Sequence, residues 1–568
     1  MTQTFIPGKD AALESTLELI QAKLAARGFI VDESPLLHDI DGVWSLELRD
    51  RDCPLLVAYG KGATALAARA SAYGEFAERL GTGDFWRPYY LGATRANKPF
   101  VHGPQERWFA PTADGKWPAA MLDAPLHQLY NPHGAIDGKV LVDRNSGNGE
   151  RGICTLPYTR VRDGAIAYIP VNIVGNLYGS NGTAAGNTLM EARSHAMAEI
   201  FERAIGHRIA ADGLCLPDVP DDVLARFPVI ATGVAALRGA GFGVLVKDAS
   251  LGGRYPVANV TLIHPHDQGV LTAYGAHPRF AIALERAMTA LLGGRPLATL
   301  AGWPEPEFDD VDSDDCSELA ADGGQTGAVG WNFLGEQADY PFVDWNFSTT
   351  TQEDYDWLVA ALHGEDRDLY VADFSALGVY SCRILVPGWS ELRPVADLEW
   401  ENDSIGNDVR AALAHLHDLT EKQCASLLAT LQTLNVGDGR LLPELLGLAA
   451  APGTPWERLR MGELKTLLAL AVGDEEAVLA GCDWLHHYAD LEPARLRVYR
   501  CIEAMLRVEE ADDYGRALTL LYGADTVRQA GALLGVSERF FGLGTLGADF
   551  EGSALHASLL AAYDKLGI

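Results

Sequence analysis

Up to about residue 400 of this 568-residue chain, short β-branched and aromatic runs alternate with helical patterns; beyond about 405 the runs stop. Strands are predicted at 43–49, 55–60, 165–174, 243–249, 257–264, 269–275, 368–374 and 379–388, bounded by Gly, Pro or Asp. Helices are predicted over 12–28, 63–81, 188–210 and 278–294. Strands fall in pairs between helices, which predicts an α+β fold with a largely antiparallel sheet, a mixed sheet staying open. After 405, Leu and Ala recur at three- and four-residue spacing through 408–419, 421–434, 461–473, 475–491 and 494–508. This predicts an all-α stack of antiparallel helix pairs, tetratricopeptide-like in helix length, although three clean repeats do not align. The expected domains are 1–404 and 405–568. Helical stacks of this kind usually present a surface to a partner or a second copy.

Net charge is −32, from 45 basic and 77 acidic residues. Such a surface repels nucleic acid and anionic membrane, so no direct nucleic-acid partner is expected. It also repels free ATP, so a nucleotide site here needs metal or a local basic patch. The eight cysteines are widely spaced without a C-x-x-C pair, which predicts reduced thiols and no zinc site. Neither a leader-like N-terminus nor an apolar run of about 18 residues occurs; a soluble, cytoplasmic protein is expected.

Familiar nucleotide and metal motifs fail. No Gly-Lys is followed by Ser or Thr, so there is no Walker A loop. GLGTLG at 542–547 lacks room for a βαβ unit behind it. The acidic run 309–318 lacks the central Gly of an EF-hand loop, and His264/His266 and His486/His487 lack helical metal-ligand spacing.

One constellation stands. SAYGEFAERL (71–80) and SHAMAEIFERA (194–204) each carry Glu-x-x-Glu-Arg: Glu75, Glu78, Arg79 and Glu199, Glu202, Arg203. Each Glu pair is about 300° apart on a helix, hence on one face, and Glu191 lies on the second helix's same face. The flanking Ala, Gly and Ser predict that the two helices pack side by side, bringing five carboxylates together. Such a cluster is costly unless cations neutralise it, and two Mg²⁺ ions with phosphate oxygens would do so. The Gly-rich 179–187 stretch is expected to form an anion cradle, with Asn187 at the helix cap. The plainer reading is a solvated face with i, i+4 pairs Glu75–Arg79 and Glu199–Arg203.

At these residues the chain resembles the YcaO family. The likeness runs from GKG at 60–62 through Ser71, Glu75, Glu78 and Arg79. It continues with SNGTAAGN at 180–187, Glu191 and the second triplet, then AYGAHPRFAIALERAMTALLGGR with Arg286, and CRILVPGW. It covers about residues 1–400. It implies a YcaO-type ATP-binding domain whose cofactors are ATP and Mg²⁺, acting by kinase-like activation of a peptide amide oxygen with ATP hydrolysis. Carried over, Glu75, Glu78, Glu191, Glu199 and Glu202 hold Mg²⁺. Lys9, Ser71, Glu78, Asn187, Arg203 and Arg286 serve the nucleotide; the alternative for Arg79 and Arg203 is that they only orient the carboxylates. The opening and the helical tail resemble a bacterial branch that assists β-methylthiolation of a small-subunit ribosomal protein. This implies a basic ribosomal protein or a methylthiotransferase as partner, and a homodimer. Two positions depart from the family, Ala290 and Gly293, where Glu and Gln are common, and the chain ends in LLAAYDKLGI rather than a Pro-rich tail. An accessory protein using ATP only as a conformational ligand is the alternative expectation.

Overall fold

The computed structural model describes residues 3–147, 149–308, 325–326, 329–434, 436–488, 490–508 and 511–567; the acidic run at 309–318 and Cys316 lie outside them. Every strand ladder among the described residues is antiparallel, and three sheets form.

The first sheet centres on β3 (Val43–Asp50). Its neighbour on one edge is β4 (Val57–Gly62); β1 (Val31–Glu33) and β2 (Leu37–Ile40) share the other. Helix α1 (Leu13–Ala26) buries Leu13, Leu17, Ile20 and Leu24, the stripe its spacing dictates, against Leu46, Leu48 and α2 (Ala65–Thr82). A second sheet runs β5 (Arg107–Phe109), β6 (Ile153–Arg160), β13 (Tyr370–Phe374), β14 (Tyr380–Leu385), β8 (Thr183–Gly186), with β7 (Ile166–Pro170) also on β6. The third runs β12 (Gln325–Thr326), β11 (Val270–Ala276), β10 (Val257–Ile263), β9 (Gly243–Asp248). Helix α3 (Leu189–Ala211) covers one face of this third sheet through Ile200, Phe201 and Ile205. Helices α4 (Pro228–Gly239) and α5 (Phe280–Ala290) cover the other. With both faces covered, β10 is buried except at Ile263 and β11 is buried throughout, Asn259, Thr261 and Thr272 included.

The two Glu-bearing helices do not lie side by side as their small residues suggest. Those residues instead let each helix lie on a strand. A Cβ added at Gly60 of β4 would stand 2.1 Å from the Ala68 carbonyl of α2. At Gly186 of β8 it would meet Ala192 N of α3 at 2.6 Å, and at Gly275 of β11 the Ala283 carbonyl of α5 at 2.2 Å. Between α2 and α3 runs the β8–β14 edge: Gly81 of α2 faces Ser381, while Cys382 and Ile384 point into the α3 core.

Other expectations need correction. The strand predicted to 174 ends at Pro170, which has no N–H to donate, and the chain continues as a π-turn over Val174–Tyr178. The expected loop 179–187 contains an edge strand, β8, whose backbone pairs along one side with Tyr380–Arg383. The helix cap is Thr188, which accepts from Glu191 N; Asn187 precedes it.

Past residue 405 the structure is helical: α6 (Glu421–Thr433), α7 (Met461–Val472), α8 (Glu475–Tyr488), α9 (Pro493–Arg507) and α10 (Ala524–Leu534) share one core. The last helix, α11 (Ala554–Asp564), leaves that stack. It seats Leu559, Leu560 and Tyr563 against α1 and α2, and Trp86 Nε1 donates to the Leu559 carbonyl at 3.2 Å. The seven described cysteines are free and buried. No described helix is long and apolar enough to cross a membrane.

The strand–helix approach is testable. Gly60→Ala should lower the denaturant midpoint, by the equivalent of about 1–3 kcal/mol, because a methyl group has no space there. Gly74→Ala on α2, where a Cβ would meet nothing within 4 Å, should raise it by about 1 kcal/mol.

Candidate active site

Two caps fix where the carboxylates fall. Thr64 accepts from Ala67 N to start α2, and Thr188 starts α3 likewise. The turn from β4 into α2 lays Glu75 and Arg79 back along the strand, with Arg79 Nη1 donating to the Val57 carbonyl at 3.3 Å. The same turn brings Lys61 of β4 among Glu75, Glu199 and Glu202, whose attraction it feels. Arg286 of α5 completes the group, its Nη2 standing 3.0 Å from Glu202. Three strand–helix units therefore furnish one crevice.

Most of these acids carry a protein cation. Glu75 pairs with Arg79 at 2.7 Å, Glu199 with Arg203 at 2.9 Å and Glu202 with Arg286 at 3.0 Å. The i, i+4 pairs of the plainer reading are thus present, inside the crevice. Among the described residues no cation pairs with Glu78; it accepts from Thr183 Oγ1 at 2.7 Å. Burial, and then the nearby Glu199, Glu75 and Asp84, push its pKa up to about 8 against that hydrogen bond. Burial also raises Glu75, against Arg79 and Lys61. Lys61 keeps solvent contact, yet the surrounding protein lowers its pKa despite the pull of Glu202.

Glu191 does not join Glu75, Glu78, Glu199 and Glu202. Two helical turns, about 12 Å, separate it from Glu199. It is buried beside Lys9 (3.2 Å) and accepts from Asn187 Nδ2 (3.0 Å) and Asp10 N (3.0 Å), tying the N-terminal segment to the head of α3. Asn187 also accepts from Thr16 Oγ1 at 2.8 Å. Ser71 lies exposed one turn before Glu75.

Two residues were not assigned from sequence. Lys61 sits inside the GKG at 60–62. His195 falls one turn from both Glu191 and Glu199, so an i, i+4, i+8 reading of α3 would have found it. Burial, then Arg286 and Lys9, hold its pKa well below the usual histidine value, and its Nδ1 is buried without a partner.

A model of the YcaO cyclodehydratase domain, described as ATP- and Mg²⁺-binding, matches residues 59–390, and one of the YcaO C-terminal domain matches 406–567. The Escherichia coli protein named ribosomal protein S12 methylthiotransferase accessory factor YcaO is 43% identical over 576 residues, covering 100% of this chain and 98% of that one. The chain belongs to the YcaO family. An uncharacterized Haemophilus influenzae protein is 39% identical across 99% of the chain and 98% of its own length. A solved YcaO from Methanopyrus kandleri, bound with AMPPCP and Mg²⁺, shares 16% identity with a TM-score of 0.44 over 71% of this chain and 97% of that one.

 A solved heterocyclase in complex with substrate and cofactor shares 17% identity, with a TM-score of 0.45 over 70% of this chain and 57% of that one.

The cofactors of this YcaO domain are thus ATP and Mg²⁺, and the donor set fits them. Carboxylate oxygens are the ligands Mg²⁺ prefers. Among the described residues no three carboxylate, histidine or cysteine side chains close on one point by themselves, so phosphate oxygens or water must complete any coordination shell. Arg286 Nε is buried without a hydrogen-bond acceptor beside Glu202, a donor that a phosphate oxygen would satisfy.

Glu78 gives this YcaO crevice a pH signature. Its folded pKa of about 8 lies above the ordinary 4.5, so rising pH deprotonates the unfolded chain first. The ligand-free protein should therefore lose stability from about pH 4.5 to 8. Glu78→Gln should remove that loss, melting a few degrees (about 3 °C) above wild type at pH 8 and level with it near pH 4.5. Identical pH profiles would count against a proton held on Glu78.

Proposed function

We propose that this chain binds Mg²⁺-ATP across the crevice and uses it to activate an amide or carboxylate oxygen of a protein substrate during β-methylthiolation of a small-subunit ribosomal protein. The observation that carries the reading is Glu78, a carboxylate crowded by Glu75 and Glu199 without a cation of its own. Glu75, Glu78, Glu199 and Glu202 would hold one ion. Glu191, with Lys9 and Asn187 beside it, would form a second subsite at the far end of the same helix face. Ser71, Arg203 and Arg286 line the nucleotide's path between them. Bound there, Mg²⁺-ATP supplies the phosphoryl group that turns an amide oxygen into a leaving group. The chain's own part is positioning and charge: Arg79 and Arg203 orient Glu75 and Glu199, and Lys61 and Arg286 steady negative charge. The E. coli relative's printed name, at 43% identity across the whole chain, supports the ribosomal-protein context.

Calorimetry with Mg²⁺-ATP tests this. Wild type should bind with slow phosphate release, and Glu75→Ala and Glu202→Ala should each weaken binding by about tenfold or more. Variants that bind like wild type would overturn the metal–nucleotide reading. Phosphate release accelerated by the protein substrate separates oxygen activation from a nucleotide that serves only as a conformational ligand.

A further inference from the structure

Near its start the chain reads IPGK, and residues 6–9 fold as a turn. Lys9 N donates to the Ile6 carbonyl at 3.3 Å, and Gly8 takes φ +81°. Pro at the second place and Gly at the third are what a type II turn favours. A Cβ on Gly8 would stand 3.0 Å from Ile282 Cδ1 of α5 and 3.5 Å from His277 Nε2, so the turn lies against the α5 side of the crevice. Asp10 then pins the segment. Its carboxylate accepts from Thr351 Oγ1 at 2.7 Å and from the hydroxyl of Thr188, the cap of α3. At the other end Thr4 N donates to Glu14 of α1 at 2.8 Å, and Leu13 N donates to the Thr4 carbonyl at 2.9 Å. Residues 4–13 thus form a strap fastened to the heads of α1 and α3.

Where the strap crosses α3 it closes over Glu191. Lys9 Nζ and Asn187 Nδ2 each stand 3.2 Å from Oε1. Asn187 Nδ2 and Asp10 N each donate to Oε2 at 3.0 Å. A carboxylate offers about four lone-pair sites, so Glu191 is filled. Its side chain is 3% exposed and that of Lys9 33%, which puts the ammonium on the solvent side of the carboxylate. The Glu78 end of the crevice differs, for among the described residues no cation pairs with Glu78. An ion can join Glu78 without displacing a protein cation. At Glu191 it must first displace an ammonium and break a charge-assisted contact.

We propose that the N-terminal strap is an autoinhibitory seal on the second metal subsite: Lys9 is a resident cation that a divalent ion has to displace, and the phosphates of the nucleotide are what draw it away. The Glu78 end then fills first, and the Glu191 end fills only with nucleotide. Such coupling is reciprocal, so the second ion tightens nucleotide binding by the same factor. The inference rests on the reading of the crevice as a Mg²⁺-ATP site.

The test titrates the full-length protein with Mn²⁺, following free ion by electron paramagnetic resonance, with and without a non-hydrolysable ATP analogue. Wild type should take up one Mn²⁺ alone and a second only with the analogue. Lys9→Met should take the second ion without the analogue, about tenfold or more tightly than wild type does, and should bind the analogue more weakly. Lys9→Arg keeps the charge and should stay sealed. Asp10→Ala, which unpins the strap but leaves the ammonium, should shift Mn²⁺ uptake in the direction of Lys9→Met by a smaller factor. A wild type that takes both ions without nucleotide would overturn the seal. So would a Lys9→Met variant that takes Mn²⁺ as wild type does while the analogue still binds, which would make Lys9 a structural tie. A second ion gained by Lys9→Met in a protein that binds no analogue would keep the seal and sink the nucleotide reading instead.

Discussion

The closeness of strand to helix is the constraint on which the rest of this structure depends. At Gly60, Gly186 and Gly275 there is no space for a side chain between a strand and the helix that follows it. Those approaches seat α2, α3 and α5 against their own strands. The charged positions one or two turns further along each helix then face a common crevice: Glu75 and Glu78 from α2, Glu199 and Glu202 from α3, Arg286 from α5. No helix-to-helix seam is needed to bring them together, and none forms between α2 and α3. The position of the site is a consequence of backbone contact, which interiors packed at crystal-like density hold firmly.

Charge is managed locally within a strongly acidic chain. Five carboxylates on α2 and α3 stand among Lys9, Lys61, Arg79, Arg203 and Arg286. The ligand-free crevice therefore avoids the full cost of like charges in one place. Glu78 is the exception: it accepts a hydrogen bond from Thr183 Oγ1, while burial and the neighbouring acids push its pKa up to about 8. Under the proposed function, a metal would take over carboxylates, and the released guanidinium and ammonium groups would meet phosphate.

Much of this was legible in the sequence, for reasons that differ by element. Glu75, Glu78, Glu199 and Glu202 were found because helical periodicity is local and the triplet occurs twice. The third sheet's β10 and β11 stood out by β-branched and aromatic residues bounded by Gly, Pro or Asp. What was hidden depends on partners distant in the chain. Thr183–Gly186 is a strand only because Tyr380–Arg383 pairs with it, and its small residues carry no strand preference of their own. β6 contains Pro157, which masks a strand. The return of α11 to α1 and α2 is a contact across most of the chain's length, with no local mark. Small residues on α2 and α3 correctly signalled close packing, but not what they pack against.

Diffraction from crystals grown with Mn²⁺ and a non-hydrolysable ATP analogue, recorded for the anomalous signal of manganese, tests the central claim most directly. The account predicts manganese peaks about 2.2 Å from carboxylate oxygens of Glu75 or Glu78 and of Glu199 or Glu202, with Arg286 turned to phosphate. Manganese bound elsewhere, or a nucleotide seated away from both Glu-bearing helices, would contradict it.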